Sequence, residues 1–241
     1  MKKHSGLRIQ DSGAKAARRS SFRSSQSPES RIPNPVSRIL LCLAGLLFAS
    51  GTFAGAQVYE PLSASVRAVL QHSVSDQPAP KLAFGTQYEA DVWLKEMSRR
   101  LRKRIPDAEA RLDFLSTVHY EAIRAGLEPE LVLGLIEVES GFKKYAVSSA
   151  GARGYMQVMP FWVKEIGTPD HNLFHLRTSL RYGCTILRHY LDIEKGDLYR
   201  ALGRYNGSLG RPEYPNLVRA AWHNNWTLPR HTAGNAALPA S

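Results

Sequence analysis

The chain has 241 residues, 43% of them hydrophobic, which is enough apolar content for one sizeable core. Its formal net charge of +11 suggests a nucleic-acid partner until the charges are located: residues 1–56 carry +7 and residues 57–241 only +4. So small a surplus suits an anionic substrate or surface and does not single out nucleic acid, so none is expected as a partner.

In chain order, a basic, serine-rich leader runs into "SRILLCLAGLLFASGTFAGA". An arginine, an apolar run from Ile39 and the small-x-small pattern Ala54-Gly55-Ala56 are the grammar of a secretory signal peptide, assigned here to residues 1–56. Export to the periplasm or cell envelope, with cleavage, is the expectation. The uncharged run continues to Tyr59, which leaves open a retained anchor or a transient membrane association through this segment. However, Ser50, Gly51, Thr52 and Gln57 dilute its second half, and a spanning helix needs about 20 mainly apolar residues. Cys42 follows Ile39-Leu40-Leu41 without the small residue of a lipoprotein signal, so lipidation is rejected. Cleavage would leave Cys184 alone and rule out an intramolecular disulfide.

Residues 57–87 are rich in turn formers and read mostly as linker. A helical pattern follows in "YEADVWLKEMSRRLRKR", with apolar Val92, Leu94, Met97 and Leu101, so residues 57–105 form a linker and N-terminal helical extension. The basic run Arg99–Arg104 reads as a solvated face at a helix C-terminus, where cations are favoured, rather than as a grip on an anionic polymer or lipid headgroup. Pro106-Asp107 opens the next helix, in which Leu112, Leu115, Val118, Ala122 and Ile123 recur at helical spacing before Gly126. Pro129 sits where a helix accepts proline, in the first turn. Further helices are predicted at 156–166, 177–194, 197–205 and 213–225. No segment shows sustained strand alternation. The reading is an all-α domain over residues 106–228, followed by a loose Ala/Pro/Gly-rich tail at 229–241.

Chemistry concentrates in "LVLGLIEVESGF", residues 131–142. At about 100° per residue, Glu137 and Glu139 point about 200° apart and cannot flank one bond. Glu139 shares its face with Val132, Leu135 and Ile136; Glu137 shares its face with Leu133 and the thinner Gly134. A carboxyl held against aliphatic side chains loses hydration, which raises its pKa and suits a general acid. A partly exposed carboxylate, or one satisfied by an arginine, is the competing reading. Ser140-Gly141 ends the helix and places Glu139 beside a loop. In the following "SSAGARGYMQVMP", Gly154 would permit close backbone approach of a ligand, and Gln157 offers donors and an acceptor.

"ESGF", "GYMQVMP" and "RYNGS" resemble, in order, the Glu-Ser, Gly-Leu-Met-Gln and Ala-Tyr-Asn motifs of lytic transglycosylases of the soluble, lysozyme-like (SLT) type, over about residues 110–226. The resemblance implies a goose-lysozyme-like helical fold with a cleft, acting on peptidoglycan glycan strands between N-acetylmuramic acid and N-acetylglucosamine. It implies Glu139 as the single acid/base and Ser140 as a residue orienting substrate and acid. It further implies that Gly154, Tyr155, Met156 and Gln157 line the cleft, and that Tyr205 and Asn206 form the third motif, the tyrosine hydrogen-bonding near the carboxylate. Tyr155 replaces the usual leucine and Arg204 the usual alanine; the arginine could meet an anionic stem peptide or simply solvent.

A two-carboxylate glycosidase needs a partner about 5–9.5 Å away, and helix geometry excludes Glu137. The resemblance implies a one-acid mechanism that closes a 1,6-anhydro ring on muramic acid, with which a single convincing carboxylate agrees; hydrolytic muramidase and non-catalytic wall-binding protein are the alternatives. No cofactor is called for. His171 and His175, at i,i+4 with Asp170 alongside, lack a convincing third ligand, so no metal is assigned. Cys184 and His189 lie in an apolar helix where an inert thiol is the default. A cell-envelope assembly is a further candidate partner.

Overall fold

A computed structural model describes residues 57–75 and 86–228. The leader, the signal segment and the tail at 229–241 lie outside the described residues. Eight α-helices follow one another within them: α1 (Ala64–Val74), α2 (Gln87–Leu101), α3 (Ala108–Arg124), α4 (Pro129–Ser140), α5 (Phe161–Ile166), α6 (Leu176–Ile193), α7 (Leu198–Asn206) and α8 (Glu213–Ala221). A π-helical turn, Trp222–Trp226, continues α8. Extended pairing among the described residues is confined to two isolated antiparallel bridges, Val147–Arg153 and Arg153–Val158, in the loop between α4 and α5. The domain is all-α. Among the described residues no helix is long and apolar enough to cross a membrane.

Local chemistry sets most helix starts. The Asp107 carboxylate accepts from the Ala110 N–H at 2.7 Å and opens α3. Thr86 and Glu89 exchange side-chain and backbone hydrogen bonds in a capping box at the head of α2. Pro129 occupies the first turn of α4, and Gly141 closes that helix in the left-handed region at φ 56°.

α4 is the buried axis. Val132, Leu133, Leu135 and Ile136 are all inaccessible to solvent, each contributing about 1.5–3 kcal/mol of apolar burial. Its neighbours are α3, α8 and the π-turn. Gly134 explains how the π-turn comes so close: a Cβ there would lie 2.7 Å from Trp222 N and 2.8 Å from Trp222 Cα. The side of α4 that reads as thin in the sequence is thus filled by another helix backbone.

Three differences from the sequence reading have clear physical causes. Residues 64–74, read as linker, form α1, because Leu70 and Val74 are buried against the core while most of its other side chains face water. Residues 156–160 are not helical, since Gln157 takes φ 47° and bridges hold this stretch to Arg153. The last helix gives way at Trp222 to a π-turn, in which the Thr227 N–H reaches back to the Trp222 carbonyl at 3.0 Å.

Buried charge also ties the domain together. Glu121 on α3, its side chain fully buried, meets Arg124 and Arg181 at 3.1 Å and Arg177 at 3.6 Å. Arg181 also donates to the Ser75 carbonyl at 3.2 Å, and Arg124 to that of Ser73, so the end of α1 is clamped to α3 and α6. Of the basic run, Arg99 and Arg100 pair with Glu96 at 2.7 Å and Arg104 pairs with Glu137 at 2.7 Å.

Gly134→Ala tests the α4–π-turn contact. Its methyl meets backbone rather than a side chain that can swing away, so we expect a loss of about 1–3 kcal/mol in urea unfolding. Wild-type stability in that variant would mean that the two helices separate at no cost.

Candidate active site

Glu139 occupies the next-to-last position of α4 and is 8% exposed. The Tyr214 hydroxyl, from α8, donates to its Oε1. Its Oε2 is buried without a hydrogen-bond partner. Burial pushes the carboxyl up from the ordinary 4.5 to about 8, against the Tyr214 bond, which favours the ionised form. Glu137, two residues earlier, is held quite differently. Arg104 Nη2 and Trp226 Nε1 each lie 2.7 Å from its carboxylate, and Asn225 Nδ2 lies 3.0 Å away. The competing reading, a carboxylate satisfied by an arginine, therefore describes Glu137; Glu139 forms no ion pair among the described residues.

The loop after α4 is fastened to the acid's helix. Ser140 Oγ lies 2.7 Å from the Tyr155 carbonyl, with the helical carbonyl of Ile136 at 3.2 Å, so one hydroxyl joins helix end and loop. At Gly154, φ is 76° and a Cβ would fall 2.2 Å from the Leu173 carbonyl oxygen; the close approach here is made by the chain itself. Gln157 is 2% exposed, and its Nε2 donates to the carbonyls of Gly154 at 2.9 Å and Ala146 at 3.1 Å. Its amide thus staples the loop from within. Met156 is fully buried against the face of α6 that Gly183 opens, and Tyr155 packs edge-on against Phe114 at 5.1 Å between centroids.

Tyr205 is fully buried, and its hydroxyl donates to the Met156 carbonyl at 2.8 Å. The phenol bonded to Glu139 is therefore that of Tyr214, which the sequence reading does not include. A tyrosine in an amphipathic helix looks like core until α8 is docked, and the only available signal was its position eight residues beyond the third motif. Burial holds both phenols well above the usual tyrosine range, and the nearby Glu139 charge adds to it. Asn206 ends α7, half-buried, before Gly207 at φ 75°. Arg204, half-buried, pairs with Glu194 and, at 3.0 Å, with Glu60.

The other candidates lie apart from this arrangement. His171 Nδ1 shares a hydrogen bond with the Tyr182 hydroxyl at 2.7 Å, and His175 precedes α6. The Cys184 thiol is buried, which pushes its pKa well up.

The site is a helical domain organised around one desolvated carboxyl at a helix end, with a stapled loop beside that end, and comparison with known proteins finds similar chains. Residues 116–216 match the family described as Transglycosylase SLT domain. A 47-residue stretch is 55% identical to "Membrane-bound lytic murein transglycosylase C" of Actinobacillus pleuropneumoniae serotype 5b (strain L20), covering 20% of this chain and 13% of that protein. A "Transglycosylase" of Enterobacteria phage PRD1 is 30% identical over 103 residues, covering 43% of this chain and 38% of the phage protein. The "Membrane-bound lytic murein transglycosylase C" of Haemophilus ducreyi is 33% identical over 113 residues, 40% of this chain and 31% of that protein. The matches span less than two fifths of the length of each of these relatives.

The Glu139 environment has a consequence for stability. The folded-state pKa of about 8 lies above the ordinary 4.5, so between these values the folded state keeps a proton that the unfolded state has released. The favourable contribution is complete below about pH 4.5 and is lost as pH rises through about 8. Glu139→Gln keeps the neutral shape and removes the titration. In urea melts its stability relative to the parent should rise by several kcal/mol over that window. A difference independent of pH would show that the carboxyl titrates normally.

Proposed function

We propose that the chain is a peptidoglycan lytic transglycosylase of the cell envelope that cleaves the bond between N-acetylmuramic acid and N-acetylglucosamine without consuming water. The observation that carries this reading is Glu139 itself: a carboxyl buried in an SLT domain, one oxygen held by Tyr214, the other unpartnered. Export agrees with the names of the relatives from Actinobacillus and Haemophilus, and with the leader grammar.

In the proposed cycle Glu139 enters as the neutral acid. Tyr214 occupies Oε1, which leaves Oε2 to deliver the proton to the glycosidic oxygen. As the C1–O bond breaks, the N-acetyl group of the muramic acid stabilises the oxocarbenium-like centre. The carboxylate, now ionised and stabilised by the Tyr214 bond, takes the proton from the C6 hydroxyl of the same sugar. The C6 oxygen then closes onto C1 as a 1,6-anhydro ring. The proton returns to Glu139, the leaving sugar gains a hydroxyl, and no water enters. A nucleophile already attached to the substrate gives the reaction a high effective molarity, so one carboxyl can serve both steps. Ser140 and Gln157 contribute by holding the loop against the helix end.

Mass spectrometry of the products from purified peptidoglycan tests the reading. The full chain should release muropeptides one water lighter than hydrolytic products, and Glu139→Gln should release none. Products with water added would identify a muramidase instead. Tyr214→Phe removes a bond that favours the ionised carboxyl, so the pKa of Glu139 rises further. The alkaline limb of kcat/KM should move to higher pH while kcat falls about tenfold or more. An unshifted limb would remove Tyr214 from the mechanism.

A further inference from the structure

Gln57, which directly follows the Ala54-Gly55-Ala56 pattern, is a polar residue only 4% exposed. Its side chain is inserted beside the site loop. Gln57 Oε1 accepts from the Met159 N–H at 3.1 Å, and Gln57 Nε2 donates to the Gln157 carbonyl at 3.4 Å. The Tyr205 hydroxyl donates to the Met156 carbonyl of the same loop at 2.8 Å. One amide therefore engages both flanks of the Gln157–Met159 turn.

The residues after Gln57 fasten it in place. Tyr59 packs edge-on against Phe161 at 5.5 Å between centroids, on the helix that follows the loop. Glu60 pairs with Arg204 at 3.0 Å, on the helix that carries Tyr205. Arg204, the departure from the third motif noted in the sequence, thus has a partner inside the protein. Three successive contacts, one polar, one aromatic and one ionic, bind a short extended segment to the two elements that flank the loop.

We propose that residues 57–60 are a strap and that Gln57 is a positioning residue for the transglycosylase reaction, holding the 154–159 loop in register with Glu139. This rests on the lytic reading above. The route from strap to acid is short: Gln57 holds Gln157 and Met159, Gln157 Nε2 holds Gly154, and the adjacent Tyr155 carbonyl is tied through Ser140 to the helix end beside Glu139. Gln157 needs this support, because its φ of 47° is strained for a residue with a side chain. The burial of an uncharged amide with both ends satisfied is what a fixed register requires, since an unpartnered one would be costly.

The test compares the full chain with Gln57→Ala and Gln57→Glu, reading turnover of purified peptidoglycan and hydrogen exchange at the Met159 amide. In Gln57→Ala the Met159 N–H loses its acceptor and should exchange at least tenfold faster. There kcat should fall about ten- to a hundredfold while KM stays within about twofold. Gln57→Glu keeps an oxygen for Met159 and should recover most of the exchange protection and part of kcat. Faster exchange with unchanged kcat would overturn the positioning role and leave the strap merely structural, as would unchanged exchange. An inert parent chain would instead overturn the lytic reading, and this inference with it. Loss of the thermal transition in Gln57→Ala is distinguished through Gln57→Glu: if that variant folds, loses exchange protection at Met159 and still keeps the parent kcat, the proposal fails.

Discussion

The desolvation of one carboxyl constrains everything around it. Glu139 is held where water cannot solvate its charge, at the end of a helix in which Val132, Leu133, Leu135 and Ile136 are fully buried. A pKa moved from 4.5 to about 8 stores several kcal/mol, at about 1.4 kcal/mol per unit, which the fold must supply when the group ionises. That cost is tolerable only in a core assembled without gaps, and α4 is enclosed by α3, α8 and the π-turn. Tyr214 softens the penalty without abolishing it: a neutral donor lowers the cost of charge, whereas an arginine would have made the carboxylate permanent.

Glu137 shows the alternative on the same helix. Two residues and about 200° away, a chemically identical side chain receives a guanidinium, an indole N–H and an amide, and becomes a structural tie between α4, the end of α2 and the π-turn. What separates a buried, protonated carboxyl from a structural strut is only which neighbours the packing delivers to each face. Gly134 is part of that arrangement, because it admits the Trp222 backbone and so brings Asn225 and Trp226 within reach of Glu137.

Much of this was legible in the sequence, and what was missed has a common cause. The helical periods, the Asp107 cap, Pro129 and the Gly141 stop are local signals, and the opposition of the two glutamates follows from helix geometry alone. The partners were not legible. Tyr214 lies 75 positions from Glu139, and Gln57 lies 100 from Gln157; no local pattern marks either pairing. Gly154 and Gln157 read as groups offered to a ligand because flexible backbone and free amides look available until the chain's own Leu173, Ala146 and Gly154 carbonyls occupy them. The stretch before residue 88 read as linker because its turn formers dominate the composition. The short amphipathic helix α1 within it depends on Leu70 and Val74 finding the core, and Glu121, its charge hidden in α3, anchors it through Arg124 and Arg181.

That last arrangement sets where the domain physically begins. The family match starts at residue 116, and the sequence pattern suggests a natural cut at Pro106. A chain shortened to Pro106 would shed α1 and α2, uncover the core-facing Phe114, Leu115 and Val118, and lose Leu70, Val74, Trp93, Met97 and Leu101 from the packing; one shortened to residue 116 would lose Phe114, Leu115 and the first half of α3 as well. Glu121 would keep Arg124, Arg177 and Arg181 but lose the α1 carbonyls they grip. The unit that folds is therefore wider than the unit that is recognisable. An affinity tag or fusion joint belongs before residue 57, not between residues 57 and 105, however featureless that stretch looks.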